Sequence, residues 1–482
     1  DDAYLLNEGT LSPGGSGSVL TSTITGAVEQ SSTGVYLVDL DGTSTDLIDL
    51  PSGVVLLDGS VSVNLISVAD STGTSTIVTS TSTDDIGSSL SVSGTAASDY
   101  SIVSSDLGTV KLSWDIDAAD EDLLGSANGN QSAVARHLQN VLENGGLGKE
   151  LTTLLNIVDE DDYIDALDTF ASQIASDIQL TSLFSAQRFS DALLSCSVRD
   201  GVYRFIDEDQ CAWMRAGGSG MERSLSNTNR PFDQTAWQFE GGGQFALQDD
   251  WFIGAGFSIG TQSLSVDDIA DSDGNFYQGG VVAKHTMGNT LLSASLTGGY
   301  GDFDITRYLY SSDFAQGNET LWTFSGQISA SHAFVRGDWY LKPRVDIGFD
   351  HVNMNGFTES GAGGASLTID DNAQTYYSIQ PSIEIGGEIA AANGVLFRPS
   401  VSVGLTQFLG DASPSTTASF ADTPAGIAPF TIGSEFDTTY FDVTAGLEVL
   451  ATERLSLSAE GFGQFSDSIT SYGGSAKLAI RF

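Results

Sequence analysis

The chain has 482 residues, 18 of them basic and 63 acidic, for a formal net charge of −45. So acidic a chain repels phosphate backbones, which excludes nucleic acid as a partner. No run of about 20 apolar residues occurs, so no membrane helix is expected; membrane strands stay open, because they are only about 9–11 residues long and half polar.

The 55 glycines and the short alternations of Ser, Thr, Val and Ile predict a mainly β protein. Residue 1 is neither an initiating Met nor the start of a signal peptide. A chain whose barrel must be exported is therefore expected to be the C-terminal part of a longer precursor.

Residues 1–115 carry short apolar pieces (35–40, 54–57, 61–66, 77–78, 102–103 and 110–114) between turn residues such as Asp41-Gly42 and Asp58-Gly59. Strands this short bury a face only by stacking, as in a β-solenoid, or by pairing in a small β-sandwich. Asp39-Leu40-Asp41-Gly42 lacks the spacing and the closing Glu of a calcium loop, so it reads as a solvated turn. The segment has no histidine and cannot hold a Ser-His-Asp set.

Residues 116–200 form an acidic linker followed by helices. Val134, Leu138, Val141 and Leu142 share one helical face, ended by Gly145-Gly146; Leu151, Leu154, Leu155 and Val158 repeat the pattern over 149–158. A third helix is predicted over about 163–194, with Ile164, Leu167, Ala171, Ile174 and Ile178 on one side and small residues keeping it thin. It either packs on its neighbours as an ordinary amphipathic helix or threads the barrel that follows. About 20 residues rise about 30 Å, enough to span a lumen. In that case Gln173, Asp177, Gln187, Arg188 and Asp191 face the inner wall. Cys196 and Cys211 flank the junction, and two cysteines in an exported protein favour a disulfide that stabilises by about 3 kcal/mol.

Residues 201–482 alternate. In 251–260 the residues Trp251, Ile253, Ala255, Phe257 and Ile259 share a face; in 339–349 so do Trp339, Leu341, Pro343, Val345, Ile347 and Phe349, opposite Lys342, Arg344 and Asp346. Twelve strands are predicted: 211–220, 234–247, 251–263, 275–285, 290–305, 320–334, 339–354, 373–390, 395–409, 436–450, 454–466 and 472–482. Tight turns (248–250, 286–289, 335–338, 391–394, 451–453) alternate with longer links, notably 355–372 and 410–435. This is the pattern of an antiparallel transmembrane β-barrel with short periplasmic turns and long outer loops. The inner face collects Arg215, Glu240, Lys284, Lys342, Arg344, Asp346, Glu384, Glu388, Arg398, Asp442, Glu448, Arg454, Glu460, Lys477 and Arg481. The four histidines are scattered, and the carboxylates Asp267, Asp268, Asp271 and Asp273 read as a solvated outer turn rather than a calcium site. No catalytic, cofactor or metal set is predicted.

The order of a β-rich segment, the helix start Asn130-Gln131-Ser132-Ala133-Val134-Ala135, the helix end Arg188-Phe189-Ser190-Asp191-Ala192-Leu193-Leu194, Trp213-Met214-Arg215-Ala216 and the closing Ala479-Ile480-Arg481-Phe482 resembles the monomeric autotransporters of type Va secretion. The resemblance implies an outer-membrane translocator that anchors and exports its own upstream passenger, with 1–115 on the cell surface assisting passenger folding as an autochaperone. It implies a monomer whose partners are outer-membrane lipid, periplasmic chaperones and the barrel assembly machinery, the last reading Leu478, Ile480 and Phe482. Members that cut their pore helix do so at an asparagine; 163–194 contains none, so cleavage by that route is not expected. The other readings are a surface adhesin or virulence factor, with binding in the passenger, and an open outer-membrane pore.

Overall fold

The computed structural model describes residues 4–482 except 54, 82–85, 106–107, 194–195, 393, 411–412 and 453. The predicted helix end at Leu194 and the predicted turn residue Glu453 lie outside the described residues.

The first segment is a parallel β-solenoid rather than a sandwich. Thr10 pairs in parallel with Val35, and Val35 with Ser60, so one rung takes 25 residues. Tyr4–Asn7, Ala27–Gln30 and Val55–Leu57 form a second parallel sheet; Thr21–Thr25, Leu47–Ser52 and Thr72–Ser80 form a third. Val38, Leu50, Ile77, Val110 and Leu112 stack inside, each shut off from solvent. An antiparallel hairpin, Ser98–Ser105 with Thr109–Ile116, finishes the stack. The Asp39 carboxylate accepts from the Ser18 amide at 2.8 Å and the Asn64 side-chain amide at 2.6 Å.

Four α-helices follow: α1 (Gly129–Gly145), α2 (Lys149–Leu155), α3 (Glu160–Asp168) and α4 (Gln173–Ala192). α1 opens on a capping box, in which Asn128 accepts from the Gln131 amide and the Gln131 side chain accepts from the Asn128 amide. α2 stops at Leu155, short of the predicted 158. The predicted helix 163–194 is two helices, broken at 169–172. Tertiary contacts capture the break: the Thr169 carbonyl accepts from Arg307 at 2.6 Å, and Phe170 is buried edge-on to Phe420.

Among the described residues the barrel has twelve strands: Cys211–Arg223, Phe232–Gln248, Trp251–Val266, Ala270–Met287, Thr290–Tyr308, Phe314–His332, Trp339–Met354, Asn372–Gly387, Leu396–Leu409, Thr439–Leu450, Leu455–Phe465 and Ile469–Arg481. Each pairs antiparallel with the next. The first and last close the ring in unbroken register, from Cys211 opposite Arg481 to Arg223 opposite Ile469. Tight turns at one rim use Gly288 and Gly337 at φ of 61° and 65°, where a side chain is strained. The long links 355–371 and 410–438 are not plain loops. They hold a small antiparallel sheet of Phe357–Thr358, Leu367–Ile369, Ser415–Phe420 and Phe430–Gly433.

That loop sheet, α1–α3 and the last solenoid rung share one apolar core, running from Leu40, Leu65 and Trp114 through Val134, Leu138 and Leu154 to Leu367, Phe420 and Ile432. The solenoid therefore sits on a lid over the loop rim of the barrel. His137 of α1 is locked in this lid, against Phe430 at 4.9 Å and with its ring nitrogens 3.1 Å from the Ala428 carbonyl and 3.0 Å from Thr423 Oγ1. Burial holds its imidazole below the ordinary value of 6.5. The unfolded lid takes up a proton more readily than the folded one, so His137 contributes full stability above about pH 6.5, lost as pH falls toward its folded value. We expect amide exchange in α1, corrected for intrinsic rate, to rise on acidification from pH 7.5 to 5. His137→Gln is expected to flatten that dependence; an equal rise in both proteins would sink the assignment.

Candidate functional site

The lumen is occupied. α4 leans on the wall made by the third to seventh strands and is bonded to the barrel along its length. At its upper end Asp177 takes two hydrogen bonds from Arg223, 2.6 Å and 2.9 Å long, and one from Ser434 Oγ at 2.6 Å; both members of the ion pair are fully buried. Gln173 donates to Asp177 at 2.9 Å and to the Arg230 carbonyl at 3.2 Å. Arg230 also reaches Asp168 at the end of α3, at 2.7 Å; burial pushes that carboxyl above the usual carboxylate range, against the pull of the guanidinium. Lower down, Gln262 donates to Thr181 and Gln187 to Asp350. Arg188 donates to Ser219 at 2.8 Å and Ser471 at 2.5 Å, and covers the Phe462 ring. Asp191 pairs with Arg344 at 3.1 Å.

All five polar residues predicted on the helix thus meet the wall or the loops above it. The wall charges pair with each other: Arg215 lies 3.5 Å from both Glu240 and Glu460, Lys342 is 2.7 Å from Glu384, Arg344 is 2.8 Å from Asp346, and Arg398 is 2.7 Å from Glu388 and 3.9 Å from Glu448. Asp442 accepts from Thr406 and Gln464, Lys284 pairs with Glu208, Lys477 lies over the Trp213 ring, and Arg481 donates to the Ser197 carbonyl. Arg454 is the exception. It shares the inward parity, but it lies in the turn before Leu455–Phe465 and is exposed, because the ladder begins one residue later.

Two buried arginines escape the sequence reading. Arg223 and Arg307 lie beyond the predicted strand ends at 220 and 305, yet both continue the inward parity of their strands. Arg307 grips Glu359 in the loop above and donates to the Ala365 carbonyl. Glu319 is also inward and fully buried, with neither carboxylate oxygen hydrogen-bonded. Removing an unpartnered buried acid relieves a desolvation cost, so Glu319→Met is expected to stabilise the barrel by about 1–3 kcal/mol. An unchanged or lowered melting temperature would refute this.

The opposite parity is bare of charge through the middle of the wall. Trp237, Phe257, Ile259, Trp322, Ile328, Ile347 and Val401 stand exposed on the outside, with Trp251, Phe334, Trp339 and Phe482 at the turn rim. Leu478, Ile480 and Phe482 lie on this face of the last strand, and Phe482 packs on Phe245. This is the surface of a barrel in lipid.

Among the described residues no group of three or more His, Cys, Asp or Glu is placed to hold a metal ion. Asp271 and Asp273 belong to the strand Ala270–Met287, while Asp267 and Asp268 make its positive-φ turn. His285 stacks on Trp251, His332 meets Thr290 and His351 meets Thr375.

The profile of the family described as Autotransporter beta-domain matches residues 212–461. The translocator domain of the autotransporter NalP from Neisseria meningitidis superposes with a TM-score of 0.52 at 11% identity, over 64% of this chain and 100% of that one. In sequence, the proteins named Esterase EstA from Pseudomonas aeruginosa and Pseudomonas putida are 24% identical over 168 residues, 33% of this chain. The chain spans 26% of the length of these curated relatives.

Proposed function

Because this chain belongs to the autotransporter family and its barrel lies in the bacterial outer membrane, we propose that it anchors and exports its own upstream passenger to the cell surface. The observation that supports this is the route of the chain. Solenoid and lid lie at the loop rim, α4 descends through the lumen, and the barrel starts and ends at the turn rim. A polypeptide left in the pore with its upstream part outside is what export of that part leaves behind. Arg223, Asp350 and Arg344 then serve to seat α4 through Asp177, Gln187 and Asp191, and the helix in the lumen disfavours an open pore.

In this reading 1–115 offers the growing passenger a preformed rung to stack on. The barrel assembly machinery, handed the chain by periplasmic chaperones, reads the outward Leu478, Ile480 and Phe482. Any catalysis or adhesion of the whole protein belongs to upstream residues; the likeness to two esterases makes an enzymatic passenger one such case.

An epitope placed ahead of Tyr4 tests the proposal. It is expected to bind antibody on intact cells and to be removed by added protease. Confinement to the periplasm, with the barrel folded in the membrane, would overturn it.

A further inference from the structure

Between Cys196 and Cys211 the chain neither continues α4 nor begins the barrel. It crosses the mouth of the lumen at the turn rim. Both ends are fixed on one side, where the two cysteines are joined with their Cα atoms 6.0 Å apart. The middle is fixed on the far side. Arg204 donates to the Gly337 carbonyl and to Asp338 at 3.3 Å and 3.2 Å, and the Phe205 ring packs on Tyr340 at 4.7 Å. Arg199 donates to the Gly394 carbonyl at 2.6 Å. On the return, Glu208 is buried and accepts from Gln244 at 2.6 Å and from the Cys196 amide at 3.2 Å. Arg204 and Arg199 thus reach the turns that hold Gly337 and Gly394, across the rim from the cysteines.

The segment floors a polar chamber of about 510 Å³ beside the lower half of α4, whose wall includes Ser402 and Lys477. Toward the cell surface the chamber ends where Phe184 meets Tyr440 at 5.3 Å and Phe408 at 6.2 Å. Cys196 and Cys211 are 2% and 0% exposed. An oxidant reaches these thiols only before the segment is seated, and a polypeptide passing through the lumen needs the mouth that the segment fills.

We propose that residues 196–211 are a periplasmic plug, seated after the upstream chain has crossed, and that oxidation of Cys196 and Cys211 holds the plug in place. The proposal rests on the export reading for its timing alone. The step is a thiol–disulfide exchange with a disulfide-bearing periplasmic oxidant. Two thiols become one S–S bond, the oxidant's S–S bond takes the two electrons, and both protons end on its two thiols.

The test uses Ser402→Cys as a reporter, labelled with a charged, impermeant maleimide in folded protein reconstituted in lipid, with a denatured control. In the otherwise native chain labelling is expected to be slow. Cys196→Ser together with Cys211→Ser is expected to speed it by about tenfold or more, as local opening becomes frequent. Phe205→Ala is expected to speed it with the disulfide intact. Equal rates in all three proteins would overturn the plug. Acceleration by Phe205→Ala without acceleration by the serine pair would overturn the role of the disulfide. Protease shaving of the epitope ahead of Tyr4 reads export separately. If shaving fails in the native chain, the export reading falls and the labelling result on closure still stands.

Discussion

Asp177→Ala is expected to free the upper half of α4 from the lumen at a cost of about 3–5 kcal/mol, because it leaves Arg223 buried without a counter-charge. The loss exceeds that of one hydrogen bond because Asp177 collects Arg223, Ser434 and Gln173 at once, tying the helix to the first strand and to the loop lid. α4 has no help from its own start: Ser172 makes no capping bond to the helix. Amide exchange across 173–192 in lipid measures the release directly. Exchange in 173–181 is expected to speed up strongly, and exchange around Arg188 less, since its bonds to Ser219 and Ser471 are untouched. Unaltered exchange across the whole helix would mean that the ion pair does not hold it.

Val345→Lys is expected to destabilise the folded barrel by about 2–4 kcal/mol, the cost of an outward cation near the membrane midplane. Val345 is half-exposed on the outside, midway along an apolar row from Trp339 to Phe349, and its neighbours Arg344 and Asp346 point inward and pair at 2.8 Å. The same charge is thus tolerated one residue away, since successive strand positions face opposite media. Thermal unfolding in lipid, followed by the shift in gel mobility on heating, measures the change. A melting temperature equal to that of the native chain would mean that this face does not meet lipid.

Both predictions draw on parity, and parity was the legible part of the chain. Alternation over 251–260 and 339–349 assigned lipid and lumen faces residue by residue, and the two-residue period leaves no third choice. It failed only at the ends. Arg454 has inward parity but lies where the ladder has not begun, while Arg223 and Arg307 lie where the strands run on after the outward apolar signal has stopped. A strand continues there because its neighbours still offer hydrogen bonds, which composition does not encode.

The helical region was legible in its apolar spacing but not in its break. Ile164, Leu167, Ala171 and Ile174 keep a helical period straight through 169–172. The chain bends there because Arg307, from the fifth strand, and Phe420, from a distant loop, take up the Thr169 carbonyl and the Phe170 ring.

By itself, then, the sequence determined the closed twelve-stranded wall, its two faces and the presence of a helix thin enough for the lumen, because each follows from a local period that sorts side chains between two surroundings. The tertiary structure alone decided how the ends are shut: loops 355–371 and 410–438 folding into a lid sheet, Arg223 and Arg307 gripping the chain as it enters the pore, and residues 196–211 lying across the other mouth. These depend on contacts between segments far apart in the chain, and a local period carries no information about such a partner.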